Sequence, residues 1–332
     1  MANVTSTDQI ADALGAWYNP LLQDIAVAKL IHNQFGDKVS MPKGNGKDVI
    51  YSRFEELNEA TSELSETEDP EGQTMVVTRM KVTLKEYGDA VHLTNDVVMT
   101  VRDPTMNATT MRLGEQAGRT LDTLTLDVLV STGSLYQCQY GGNQNAITEY
   151  SEEDNDEIVD RLLNNDANMF DGIMEGSTKF GTTPLDESYY SMTHTKMYKD
   201  LKKLHSWTPI NQYPDPGARK LGERGYTSNI RWSLTSKGSV DTSGPYDIYD
   251  FITCGTHAYG VLDMEWEKFS EPSNGQNNMD STNSVRPVEI IYTPPGGHGD
   301  KLKRKHILAW KAYHASRVLQ DNWLIRGRAS LA

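Results

Sequence analysis

The chain has 332 residues, with 32 basic and 46 acidic side chains and a formal net charge of −14, long enough for about two domains and a real core. Its apolar share, counted with glycine and without tyrosine, is about 40%, below the ~45–50% of an ordinary globular chain, so much of it is expected in polar loops, in extended arms or against partners. No run approaches the ~18 apolar residues of a membrane span, no charged-then-apolar leader opens the chain, and so negative a surface argues against a dedicated nucleic-acid reader.

The first forty residues read as a broken helix. Ile10, Ala13, Leu14 and Trp17 recur at helical spacing, and Asn19-Pro20 then offers a cap followed by proline at the first helical position. A second segment carries Leu22, Ile25, Ala26, Lys29 and Leu30, with Gly36 after Phe35 as its stop. Helices this short need something to lie against.

Residues 47–92 read as a long two-stranded excursion. Lys47 to Phe54 alternates, and so does Thr74 to Leu84, where Arg79, Lys81, Thr83 and Lys85 share one face. Between the strands stand Glu55, Glu56, Glu59, Glu63, Glu66, Glu68, Asp69 and Glu71 with no basic residue among them. One reading is a solvated loop. The other is an arm that seeks a basic neighbour, such as Lys301, Lys303, Arg304 and Lys305 of another copy; a structureless stretch of nearly 20 residues favours a functional or partner-bound segment.

Asp103-Pro104 opens the clearest helix, over 104–132, with Met106, Leu113, Ala117, Leu121, Leu124 and Val128 in helical steps and Gly133 as its end. Gly114 and Gly118 are costly inside it unless close packing uses them. Such a rod serves as a spine. Ser151-Glu152-Glu153-Asp154 opens a further helix to about Asn165, its acids at the positive end of the helix dipole; a calcium loop would need a glycine and a closing glutamate that are missing. Over 184–290 the pattern is mixed α/β: a strand over Tyr189–Thr193, a helix over Thr195–Trp207 with Met197, Leu201 and Leu204 inward, and strands at 229–235, 248–254 and 286–293. The segment His306–Arg328 alternates around Trp310, Tyr313, Val318 and Leu319, turns at Gln320-Asp321-Asn322 and resumes at Trp323. It reads as a hairpin closing the sheet that the spine covers.

The chemical inventory is thin. Eight histidines are scattered without an HExxH pair, and no GxSxG elbow is present. Gly44-Asn45-Gly46-Lys47 has a phosphate-loop flavour, but Met41 and Asp48 stand where that loop needs glycine and Ser/Thr. The acidic run has no aromatic residue to stack a sugar. Cys138 and Cys254 lie far apart without CxxC spacing, which fits a reducing compartment. No enzyme, metal or cofactor is therefore expected. From Asp300 onward eight basic residues face only Asp300 and Asp321, giving +6 and leaving −20 for the first 299 residues.

Gly114-Glu115-Gln116-Ala117-Gly118-Arg119-Thr120-Leu121-Asp122 resembles the spine-helix signature of tailed-phage major capsid proteins with the Hong Kong 97-type fold, in the branch typified by the short-tailed coliphage N-four. Asn33-Gln34-Phe35-Gly36, Met41-Pro42, Lys85-Glu86-Tyr87-Gly88-Asp89, Trp310-Lys311-Ala312 and Asp321-Asn322-Trp323-Leu324-Ile325-Arg326 fall in the same order. The resemblance implies an α+β subunit with an N-terminal arm (1–40) and an extended β-hairpin loop (41–92). It further implies a peripheral domain (93–183 and 285–332) built on the spine helix, and an axial domain (184–284). Departures lie in 141–182 and 270–300. The resemblance also implies hexamers and pentamers in an icosahedral shell around packaged double-stranded DNA, assembled in the bacterial host cytoplasm. The expected partners are other copies of the chain, a portal protein, a possible decoration or cement protein and, for want of a long N-terminal extension, a separate scaffolding protein. Glu55, Glu59, Glu63, Glu66, Glu68, Asp69, Glu71, Arg79 and Lys81 are then expected at inter-subunit contacts. Gly114, Gly118, Leu121 and Leu124 are expected in spine packing, and Lys301, Lys303, Arg304 and Lys305 in a basic contact patch. An encapsulin-like bacterial nanocompartment, which uses the same fold around a cargo enzyme, is the alternative.

Overall fold

Two sheets share one long helix, and a separate two-stranded arm leaves the first of them. The computed structural model describes residues 31–41, 46–61, 63, 72–95, 98, 105–131, 133–143, 145–170, 184–214, 219–264, 288–296 and 302–331. The expected helices before residue 31 lie outside them.

The first sheet is organised by β14 (Lys305–Val318), a fourteen-residue strand whose burial alternates so that His306, Leu308, Trp310, Ala312 and His314 share the covered face. Along one edge runs β4 (Lys85–Thr94), antiparallel from Lys305↔Thr94 to His314↔Lys85. The other edge is shared end to end by β13 (Glu289–Thr293) and β12 (Tyr259–Met264), and β1 (Asp37–Met41) adds to β12 in parallel. Gly88 lets β4 approach closely, since a Cβ there would sit 2.5 Å from the Trp310 carbonyl oxygen.

The second sheet runs β5 (Ser134–Gln137), β15 (Leu324–Ser330), β11 (Ile248–Cys254), β6 (Tyr189–His194), β9 (Ile230–Thr235), β8 (Glu223–Thr227) and β7 (Thr208–Pro209), with β10 (Val240–Asp241) on β11. Every residue of β9 is buried, as expected of a central strand covered on both faces. The arm is β2 (Asp48–Phe54) with β3 (Val77–Thr83).

The helix α1 (Thr105–Ser131) lies where the spine is expected. Leu113, Ala117 and Leu121 pack on Val288, Leu308, Trp310 and Ala312 of the first sheet. Leu126 and Leu129, absent from the expected stripe, pack among Tyr190, Met192, Ile252, Tyr259, Val261 and Val318, where strands of both sheets meet. A second helix, α2 (Glu152–Asn164), starts as expected: Ser151 and Asp154 form a reciprocal capping box.

Two expectations are corrected. The segment His306–Arg328 is not a hairpin, because β14 and β15 belong to different sheets. Leu319 N–H and Gln320 N–H both donate to the Ala258 carbonyl, and a 3-10 turn over Asp321–Trp323 sends the chain to β11 instead of back along β14. The expected helix over Thr195–Trp207 shrinks to a 3-10 turn (Thr195–Met197) and one helical turn (Tyr198–Leu201). Beyond it Glu152 accepts from the His205 and Ser206 N–H groups, drawing that backbone to the start of α2. Met197 and Leu201 are buried all the same.

Candidate functional site

The arm is anchored along one face and exposed along the other. Alternation splits β2 into Val49, Tyr51 and Arg53 on one face and Ile50, Ser52 and Phe54 on the other. The first face packs on the body: Val49 and Tyr51 meet Val82, Leu84, Met41 and Leu262 beside Tyr313 and Ala315. Arg53 Nη1 donates to Gln320 Oε1 at 3.1 Å, and Arg317 Nη1 to the Lys81 carbonyl at 3.0 Å. Burial, with the Asp37 charge second, pushes the Tyr51 hydroxyl up to about 12. The opposite face is exposed. Ile50 is 58% exposed and Phe54 64%, and beyond the strands Leu57, Met75 and Val76 are exposed as well.

The ladder continues past β2 and β3. Glu55 N–H donates to the Val76 carbonyl at 2.9 Å. Asn58 and Gln73 then form a reciprocal pair, Asn58 N–H to Gln73 Oε1 and Gln73 Nε2 to the Asn58 carbonyl, each at 2.8 Å. An ordered two-stranded arm with apolar residues facing water is marginal on its own. Such a patch marks a contact surface.

The structure sorts the charged residues expected there. Glu55 is engaged within its own arm: hydrogen bonds from Thr78 Oγ1 (2.6 Å) and from Arg53 hold its carboxyl below the usual range. Lys81 pairs with Asp48 at 2.7 Å across the ladder. Glu56, Glu59 and Glu63 are exposed, and among the described residues they make no ion pair. Arg79, opposite Ser52, is exposed on the outer face. Glu66, Glu68, Asp69 and Glu71 lie outside the described residues.

The basic patch is the turn that enters β14. Leu302, Lys303, Arg304 and Lys305 are all exposed, Leu302 at 70%; Lys301 lies outside the described residues. The Arg304 carbonyl accepts from Asn95 N–H, which ties the turn to the end of β4. This turn and the arm stand at opposite ends of β14. The arm crosses the sheet at Tyr313–Gln320, while Lys303–Lys305 sits at the first residue of a fourteen-residue strand, about 40 Å away at the ~3.3 Å rise of extended chain. The acidic arm therefore points away from the basic turn of its own chain.

The spine residues expected to pack divide by depth. Gly114, Gly118 and Leu121 are buried and Leu124 is half-buried. Sequence reasoning missed the exposed apolar face of the arm, although the run Met75-Val76-Val77 opposite Phe54 was its signal.

No model of a protein family matches the chain, and no characterised protein matches it by sequence. Solved structures do match in three dimensions. The capsid of Ralstonia phage GP4 superposes with a TM-score of 0.59 at 11% identity, covering 91% of this chain and 88% of that one. The capsid of cyanophage P-SCSP1u gives 0.58 at 13% identity, over 91% and 89%. The fold is one found in phage capsids. A virus-like particle from Pyrococcus furiosus also shares it, with a TM-score of 0.50 at 10% identity over 93% of this chain and 97% of that one. At such identities the backbone path is what is common. The α+β architecture expected from the sequence agrees with it.

Proposed function

We propose that this chain is the major capsid protein of a tailed double-stranded DNA bacteriophage, a structural subunit that self-assembles through hexamers and pentamers into an icosahedral shell. The observation that carries this reading is the arm. On a fold found in phage capsids, it presents Ile50, Phe54, Leu57, Met75 and Val76 to solvent, and Asn58 and Gln73 hydrogen-bond its two strands together beyond them. A neighbouring copy covers that face in the shell, which also accounts for the low apolar share. The four-part division is kept as the resemblance implies, with sheet pairing running across its bounds: β12 lies in the first sheet, and β5 and β15 lie in the second. The basic turn Lys303–Lys305 meets the exposed Glu56, Glu59 and Glu63 of another copy. The shell encloses packaged DNA without sequence-specific contacts. Scaffolding, portal and decoration proteins are its further partners in the host cytoplasm and the virion, and the spine-helix motif links the chain to the N-four branch.

Electron microscopy and sedimentation of the purified chain, expressed with its scaffolding protein, test the reading. Uniform closed shells are expected. Replacing Phe54, Leu57 and Met75 together by serine leaves the subunit folded, since none is buried, and abolishes shells; unchanged shell yield from that variant would remove the arm from assembly. The encapsulin-like reading draws on the likeness to the Pyrococcus furiosus virus-like particle. Enclosed enzyme in place of nucleic acid would favour it.

A further inference from the structure

One line of hydrogen bonds joins four separate segments through the interior. Asn33 lies just before β1, Thr125 on the inner face of α1, His314 in β14 and Asp263 in β12. The Thr125 hydroxyl donates to Asn33 Oδ1. His314 Nε2 lies 3.0 Å from that same hydroxyl oxygen, and His314 Nδ1 lies 3.1 Å from Asp263 Oδ1. His314 and Thr125 are closed to solvent and Asn33 nearly so, at 1%, 0% and 4% exposed.

The hydrogens can be counted for each orientation of the Asn33 amide. With Oδ1 facing the hydroxyl, the single Thr125 hydrogen goes to Asn33 and the oxygen accepts from His314 Nε2. The Asp263 carboxylate likewise only accepts, from Nδ1. In that orientation both ring nitrogens face acceptors, an arrangement that suits a protonated imidazole. Removing one proton leaves two buried acceptors opposed, which costs about 1–3 kcal/mol unless the line rearranges. A rearrangement is available: Asn33 turns its amide so that Nδ2 donates to Thr125, and the hydroxyl turns its hydrogen onto Nε2.

Charged groups stand near the His314 ring. Asp263 faces it from β12, Lys85 of β4 is its register partner across β14, and Asp127 of α1 lines the same 250 Å³ cavity. One helical turn back, Asp122 is held by the backbone N–H and Nδ1 of His32, both at 2.8 Å, and Tyr259 donates to the His32 carbonyl. That second set pins the residue beside Asn33 whichever way the amide points.

We propose that His314 is a proton switch whose protonation state is read by the Asn33 side chain at the root of the N-terminal segment: charged when Asn33 accepts through Oδ1, neutral when Asn33 donates through Nδ2. The inference rests on the fold and is independent of any role in a shell.

Nuclear magnetic resonance of the unassembled chain, labelled with 15N in histidine and asparagine side chains, tests it. The ring signals lost in His314→Gln and the amide signals lost in Asn33→Ala assign the two groups. The expected result is that both titrate with one midpoint in the wild type, and that the Asn33 signals become pH-independent in His314→Gln. Asn33→Asp, which offers no donor to the neutral state, shifts the His314 midpoint to higher pH than wild type. Asn33 signals that stay fixed while His314 titrates would overturn the proposal, as would an Asn33→Asp midpoint equal to or below that of the wild type.

Discussion

Asp241 illustrates how single side chains tie the last strand into the fold. Its carboxylate accepts from Ser243 N–H at 3.1 Å and Ser243 Oγ at 2.5 Å, and from Arg328 of β15. These hydrogen bonds, the Ser243 pair first and Arg328 after, hold its pKa at about 2. Arg328 Nε also lies 3.3 Å from Asp250 Oδ1, and Arg326 donates to Asp250 Oδ2 at 3.1 Å, so two arginines of β15 meet two acids of β10 and β11. A carboxyl whose folded pKa lies below its unfolded value of ~3.9 stabilises the fold above that pH and loses its effect as pH falls toward 2. Asp241→Asn is therefore expected to flatten the acid limb of stability between about pH 4 and pH 2, with little change in the slope near neutrality. Urea unfolding of the unassembled subunit at a series of pH values measures both limbs, and identical acid limbs in the two proteins would count against the assignment.

At the scale of elements the long helix is the shared beam. Leu121 belongs to the core over the first sheet and Leu129 to the core where the two sheets meet, and each is nearly or wholly closed to solvent. Truncating either to alanine is expected to cost about 2–5 kcal/mol. Because one helix serves both cores, both variants should lower a single unfolding transition, whereas two transitions moving separately would mean that the sheets unfold apart. The beam was readable from its periodicity and its glycine stop, while the expected Asp103-Pro104 start lies outside the described residues; the second apolar side, Leu126 and Leu129, was not readable, because its partners come from β6, β11 and β12. The β6, β9 and β11 strands fall where strands are expected, at 189–193, 229–235 and 248–254, in segments rich in β-branched and aromatic residues. The destination of β15 was not: local sequence around Gln320–Trp323 announces a turn, and only the pairing with β5 and β11 decides which sheet receives the chain. The Thr195–Trp207 segment misled for a related reason, since its helical spacing is overridden by the Glu152 carboxylate that caps its later backbone.

On the scale of the whole molecule, charge and geometry combine into one expectation. The acids at Glu56, Glu59 and Glu63 extend past the Gln320 end of β14, and Lys303, Arg304 and Lys305 stand at its other end, so a pairing of the two joins separate copies. Reversing the three basic residues to glutamate, or the three acids to lysine, is expected to depress shell yield. At ~0.1 M salt the Debye length is ~10 Å, so contacts of this kind weaken steeply as ionic strength rises. Combining both reversals restores opposite charges across the interface and should recover assembly, which neither loss of fold nor loss of a contact within one chain would allow. Sedimentation of the four proteins across a salt series reads the outcome directly. Equal yields in all four, or a combined variant no better than either parent, would dissociate these charges from the contact between subunits.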